Sequence, residues 1–271
     1  MQKANQIDTS GIEARLALAR RLADAARRIT LPAFAHRPEA ENKNTTGVFD
    51  PVTRADKQVE RDLRTGIAQA FPDDTIIGEE YGTQKGAGEW SWCLDPIDGT
   101  RAFIAGVPVW SLLIAVCWQA EPVIGLIDHP ALGLRYIGVP GRAWREDGKN
   151  RQVLSCRPCP RLEDAILSCT EPMAMFDEAQ TAAYEQVRKR ARFTRLGLDA
   201  HGYALAAEGR IDLVIEAGLA PYDIQAHIPI IKGAGGAITG WDGGPARKGG
   251  AIVCAGDTRL LGQVLEQLAK S

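Results

Sequence analysis

Residues 90–111 read Trp90-Ser-Trp-Cys-Leu-Asp95-Pro96-Ile97-Asp98-Gly99-Thr100-Arg101-Ala-Phe103-Ile-Ala-Gly-Val-Pro-Val-Trp110-Ser111. Leu94 and the tryptophans before it suit a buried strand. Pro96 has no N–H to donate, so regular strand pairing is expected to stop there. Gly99 and Thr100 then open a short helix. Two carboxylates, Asp95 and Asp98, thus gather at a strand end beside a helix N-terminus. Gathered carboxylates repel unless a cation lies between them, and free helix N–H groups suit an anion. Hard cations with a phosphate satisfy both demands. An isolated Asp-x-x-Asp-Gly is more often a turn. Glu79-Glu80 upstream and Asp223 beside Tyr222 downstream favour the metal site here.

The 271 residues allow one large domain or two lobes with a substantial core. Lys and Arg (32) nearly balance Asp and Glu (34), for a formal charge of -2, so no basic excess points to nucleic acid. The longest apolar run, 112–118, is far short of the roughly 20 residues of a membrane span. Residues 1–10 are polar and lack the apolar core of a signal peptide, so a cytoplasmic location is expected. Of six cysteines, Cys156 and Cys159 have the spacing of a redox or zinc pair. No second ligand pair accompanies them, and reduced thiols are the better expectation. The four histidines show no metal spacing.

Ser10 through Glu13 resembles a capping box, and Ile12, Leu16, Ala19, Ala23 and Ala26 recur at helical spacing to about Thr30, where Pro32 kinks or ends the helix. The polar loop 39–50 is expected to be mobile and able to close over a site. Thr53 caps a second helix with Asp56 at its third position, and Pro72 lies just beyond that helix. A strand at 75–78 delivers Glu79 and Glu80. Strands at 107–118, 122–128 and 134–139 form an antiparallel meander, followed by a charged hairpin or loop over 141–150. From about 151 strands and helices alternate: strand 165–169, helix 177–192, strand 193–196, helix 199–208, strand 211–216, helix 224–233, strands 237–239 and 251–254, and helix 258–269. This predicts an N-terminal α+β lobe over 1–150 and a C-terminal α/β lobe over 151–271. Gly233-Ala-Gly235-Gly236 follows a helix and reads as its C-terminal turn.

Four motifs in order, Asp50-Pro-Val-Thr53, Gly78-Glu79-Glu80, Asp95-Pro-Ile97-Asp98-Gly99-Thr100 and Tyr222-Asp223 with Gly233–Gly236, resemble the inositol monophosphatase superfamily. The resemblance implies a layered αβαβα sandwich, usually a homodimer, and a Mg²⁺-dependent phosphomonoesterase with two ions, or three, per site. It implies that Glu79, Asp95 and the Ile97 carbonyl hold one ion, and that Asp95, Asp98 and Asp223 hold a second. Glu80 and Thr100 would activate a water, and the amides at Gly99 and Thr100 would hold the phosphate alongside Glu79, Asp98 and Asp223. Asp50 and Thr53 occupy positions where the family tunes that water or a third ion. Phosphate monoesters hydrolyse extremely slowly unaided, and paired cations meet that demand.

The stretch 125–138, with Asp128-His-Pro130 and Gly133-Leu-Arg135, resembles the histidinol-phosphate phosphatase branch, as does Glu216 through Asp223. Departures are His129 where that branch has Gln, Leu134 and Lys232 where it has Glu, and Leu198-Asp199-Ala200 where it has Gly-Asp-Cys. Asp199 matches the place where the family meets the non-phosphate half of the substrate. It or Glu216 can pair with an ammonium. Histidinol phosphate is the expected substrate, with inositol phosphate the alternative and other sugar or nucleotide phosphates behind. A non-catalytic binding relative would have lost ligands or the water-activating group; Glu79, Glu80, Asp95, Asp98, Thr100 and Asp223 are all present.

Overall fold

The computed structural model describes residues 9–36, 39–43 and 51–269. Helix α1 (Thr9–Ala35) runs through Pro32, beyond the expected end. Pro32 is exposed, so water can satisfy the carbonyl it leaves unpaired. The extension is held by Phe34, whose ring lies 5.6 Å from Phe103 and 5.4 Å from Trp110. Ser10 sits inside the first turn rather than at a cap. Strands β1 (Ala40–Asn42) and β2 (Pro51–Thr53) pair antiparallel. Helix α2 (Arg54–Ala70) has the expected capping box of Thr53 and Asp56.

An eight-stranded sheet follows. Its strands are β3 (Thr75–Gly78), β4 (Gly82–Gln84), β5 (Trp90–Asp98), β6 (Ser111–Trp118), β7 (Glu121–His129), β8 (Leu134–Val139), β9 (Arg142–Asp147) and β10 (Asn150–Val153), with helix α3 (Thr100–Ala105) between β5 and β6. The spatial order is β10-β9-β8-β7-β6-β5-β3-β4, antiparallel except for the β3–β5 pair. Pro96 does not end β5. It interrupts the register with β6 between Asp95 and Asp98, and pairing resumes at Asp98 opposite Ser111. Strand β6 begins at Ser111, so 107–110 is not strand.

The remaining chain forms β11 (Ile166–Cys169), α4 (Pro172–Met175), α5 (Glu178–Arg188), β12 (Phe193–Leu196), α6 (Ala200–Ala207), β13 (Leu213–Leu219), α7 (Pro221–Ile224), α8 (His227–Gly233), β14 (Ala237–Gly240), β15 (Gly250–Ala255) and α9 (Thr258–Leu268). The second sheet is ordered β12-β11-β13-β15-β14. The single helix expected over 224–233 is two helices. Pro229 cannot donate to the carbonyl of residue 225, and the ladder breaks at 225–226.

Alternation along the strands builds five layers. Trp92, Leu94, Leu112, Ile114 and Val116 face α1 and α2, packing on Leu18, Ala19, Ala23, Val59 and Leu63. The opposite face presents smaller residues, Cys93, Ala115 and Ala143, to a central layer of α6, α7 and α8. Val214, Ile252 and Cys254 of the second sheet close that layer from the far side. Leu167, Leu213 and Val253 face α5 and α9 on the outside. The order is α, β, α, β, α, as the motif resemblance implies.

Two facing glycines set the central layer. Gly125 and Gly138 are register partners on β7 and β8. A Cβ at Gly125 would meet the Ala226 carbonyl oxygen at 2.0 Å, and one at Gly138 would meet the Ile230 amide nitrogen at 2.3 Å. Only bare backbone lets the start of α8 lie this close to the sheet.

Candidate active site

The interrupted end of β5, the turn after β3, the start of α6, the end of β13 and α7 converge on one cleft of ≈ 340 Å³. Glu79, Asp95, Ile97, Asp98, Gly99, Thr100, Asp199, Glu216 and Asp223 all line it. Asp95 turns one oxygen to the Ile97 amide at 3.1 Å. Thr100 donates its hydroxyl to the Ile97 carbonyl at 3.0 Å. Asp98 accepts the Ala200 amide at 3.0 Å, so the first sheet reaches the N-terminus of α6 directly. Asp223 accepts the Ala220 amide at 2.7 Å.

The turn carrying Glu79 and Glu80 rests on Glu60, which is fully buried. Glu60 accepts the Glu80 amide at 2.7 Å and the Tyr81 amide at 3.1 Å, and Arg64 balances its charge at 2.7 Å. Glu80 lies beside the cleft rather than in its lining. Lys43 ties the pair together, donating to Glu79 at 2.7 Å and to Glu80 at 2.5 Å. Burial works to lower the Lys43 pKa, yet the two carboxylates raise it above its ordinary value. Asp50 lies outside the described residues. Thr53 is buried and engaged locally: its hydroxyl donates to Asp56 at 2.6 Å and accepts the Ala55 amide at 3.2 Å.

Negative charge accumulates in the cleft. Burial, then the charges of Glu79, Asp98 and Asp223, raise Asp95 well above the carboxylate range. Burial, then Asp199, does the same for Asp98. Glu80 is raised chiefly by burial. Asp56 is pushed up to about 6 by burial, with Glu79 and Glu80 adding to it. Among the described residues no three His, Cys, Asp or Glu side chains are drawn close enough to enclose a metal ion. Lys43 is ion-paired to Glu79. Buried carboxylates, a main-chain carbonyl and a hydroxyl are the oxygen donors a hard cation takes. The residues fit Mg²⁺.

The other half of the cleft belongs to the second sheet. Glu216 accepts both the amide (3.0 Å) and the hydroxyl (2.8 Å) of Thr170 on one oxygen. Burial pushes it up to about 8. Asp199 has φ 48° and ψ −141°, a positive φ that costs a non-glycine residue. Its side chain lies against Gly99, where a Cβ would meet Asp199 Cγ at 3.0 Å. Burial raises Asp199 to about 6 although Arg101 opposes it. Arg101, at the head of α3, pairs with Glu171 across the cleft mouth.

Sequence reasoning assigned Asp56 only its capping role, and it missed Lys43, Tyr203 and His227. Tyr203 and His227 also line the cleft. The motif spacing marks none of these three. The cysteine pair is unbonded, and burial raises both thiols to about 11, as suits reduced structural cysteines. His129 is core: it contacts the Trp110 carbonyl at 3.1 Å, and burial lowers it to about 3.

The chain matches the model of the inositol monophosphatase family over residues 12–271. It is 36% identical over 278 residues to the bifunctional phosphatase IMPL2 of Arabidopsis thaliana, covering 98% of this chain and 78% of the relative. It is 34% identical over 260 residues to the histidinol-phosphatase of Streptomyces coelicolor, covering 93% and 96%. Among solved structures, an inositol monophosphatase from Zymomonas mobilis superposes with a TM-score of 0.82 at 34% identity, covering 97% and 99%. The family is generally Mg²⁺-dependent. The interrupted strand, the gathered acids and these likenesses agree: the chain belongs to the inositol monophosphatase family and is a phosphoric monoester hydrolase.

Proposed function

We propose that this enzyme hydrolyses L-histidinol phosphate to L-histidinol and phosphate. The observation that carries the substrate is that Asp199 and Glu216, two acids suited to an ammonium, both line the cleft, on what would be its leaving-group side. The relatives named histidinol-phosphatase support it. Residues 1–150 would supply most metal ligands, and 151–271 would supply Asp223 and the substrate contacts.

Glu79, Asp95 and the Ile97 carbonyl would hold one Mg²⁺; Asp95, Asp98 and Asp223 would hold a second; Asp50 and Thr53 stand where a third would be tuned. When bound, Mg²⁺ offsets phosphate charge and makes water more acidic. The backbone at Gly99 and Thr100 receives the phosphate. Thr100 orients the attacking water, and Glu80 takes its proton, a task that its raised pKa suits. Asp56, buried beside Glu80, keeps Thr53 and the start of α2 in place. The P–O ester bond breaks as the water oxygen bonds phosphorus, and the alcohol leaves with a proton.

We assign the enzyme to the cytoplasm as a homodimer. Among the described residues no helix is long and apolar enough to cross a membrane. Phe193 and Leu196 of the edge strand β12 are exposed. Sedimentation would test the dimer.

The deciding assay is Mg²⁺-dependent phosphate release from histidinol phosphate and from myo-inositol 1-phosphate at matched concentrations, with an EDTA control. A higher kcat/KM for histidinol phosphate is expected. Preference for the inositol ester would retain the phosphatase and overturn the substrate.

A further inference from the structure

Tyr203 of α6 is 3% exposed and lines the cleft, yet among the described residues its hydroxyl has no hydrogen-bond partner. Glu216 shows the same deficit: Thr170 saturates Oε1, while Oε2 is buried and has no partner among the described residues. Folded proteins rarely leave buried polar atoms unpaired, and each such atom asks what pairs with it in the working state. Here two occur together. Both line the same cleft, yet no hydrogen bond joins them.

The phenol is held firmly. His227, at the start of α8, stacks on it with ring centroids 4.3 Å apart and planes 4° from parallel. His227 stands four residues after Asp223, so the stack sits on the segment that carries a site carboxylate. Nδ1 of His227 is also buried without a partner.

We propose that Tyr203 is a specificity-determining residue: its hydroxyl and Glu216 Oε2 form a paired seat at the floor of the cleft for an N–H donor on the leaving group, with His227 fixing the phenol. This rests on the reading of an amine-bearing phosphate ester as substrate. An ammonium alongside favours the ionised form of Glu216, whose carboxylate oxygen only accepts, whereas a tyrosine hydroxyl accepts as well as donates. An ammonium carries enough N–H bonds to serve both oxygens at once. A polyol hydroxyl donates to only one of them, can meet the phenol only as an acceptor, and brings no positive charge to the carboxylate. A site built to hydrogen-bond a substrate group discriminates strongly against analogues that lack it.

The test is Tyr203→Phe in the full chain with Mg²⁺, which keeps the ring and the stack and removes one oxygen. KM for histidinol phosphate should rise about tenfold or more with kcat within about twofold, while hydrolysis of p-nitrophenyl phosphate stays unchanged. By calorimetry, L-histidinol should bind about tenfold more weakly and inorganic phosphate equally well. The Tm should hold or rise, because the lost hydroxyl had no partner; a purely structural role predicts a fall. His227→Leu should give a smaller KM effect on the same ester. Equal change on both esters, or no change for histidinol phosphate and L-histidinol, overturns the seat. Wild-type preference for the inositol ester overturns the substrate reading instead, and it is read from a different comparison.

Discussion

Glu216→Gln tests the electrostatics of the cleft in the metal-free protein. The side chain is isosteric, and its carbonyl can still accept from Thr170. An unfolded glutamate titrates near 4.5, whereas burial raises Glu216 to about 8 in the fold. The native state therefore holds a proton that the unfolded chain has released, and stability falls as pH rises between those values. The group's contribution is intact below 4.5, shrinks through the interval and is lost above 8. At about 1.4 kcal/mol per unit, the loss is about 1 kcal/mol at pH 5, about 3 at pH 7 and about 4–5 at pH 9. Glutamine does not titrate, so the variant should gain on the wild type by about 4 kcal/mol from pH 5 to pH 9. At roughly 2 cal/mol/K of unfolding entropy per residue, that is about 7 °C in Tm for this chain. The assay is urea and thermal unfolding of both proteins in EDTA across that range. A gap that stays flat with pH would refute the burial of an unpaired carboxyl at 216.

Asp98→Asn should cut turnover by about 10²–10³-fold or more while circular dichroism is unchanged, because removing one of several repelling acids does not weaken the fold; near-normal turnover would remove Asp98 from the metal set. Glu80→Gln should reduce kcat far more than calorimetric Mg²⁺ affinity, and equal losses would make Glu80 a ligand. Asp128→Asn should cost about 3–5 kcal/mol in urea unfolding, since the fully buried Asp128 carries bonds to both Arg27 and Arg135. Gly262→Ala, in α9 with open space at the Cβ position, should raise stability by about 0.5–1 kcal/mol in the same assay.

Most of the fold was legible because the strands and helices carry strong periodicity and explicit punctuation. Thr53 with Asp56 marked α2 correctly, and the β6–β7–β8 meander followed from alternation and turns. Apart from the Ser10 cap, the main errors lie at prolines. At Pro32, aromatic packing of Phe34 outweighed the broken hydrogen bond. At Pro229 the opposite occurred, and a helix drawn as one became two. In the site, acids held in short motifs were readable, since one strand end or one turn delivers each group. Asp56 was half hidden because its capping bonds already account for it. Tyr203 and His227 could not be read at all. Their stack joins α6 to α8, and nothing within either segment announces the other.

The bare pair Gly125 and Gly138 bears on how this enzyme can be engineered. Replacing glycine with alanine is a standard route to thermostability, and a sequence-based survey would offer these two strand positions as easy gains. Here the added methyl would strike the main chain of Ala226 and Ile230. The displaced helix carries His227 and follows Asp223 by four residues, so a change made on the sheet would be felt at the acids of the cleft. For stabilisation campaigns, the support of the active site extends to two glycines that lie outside the cleft lining.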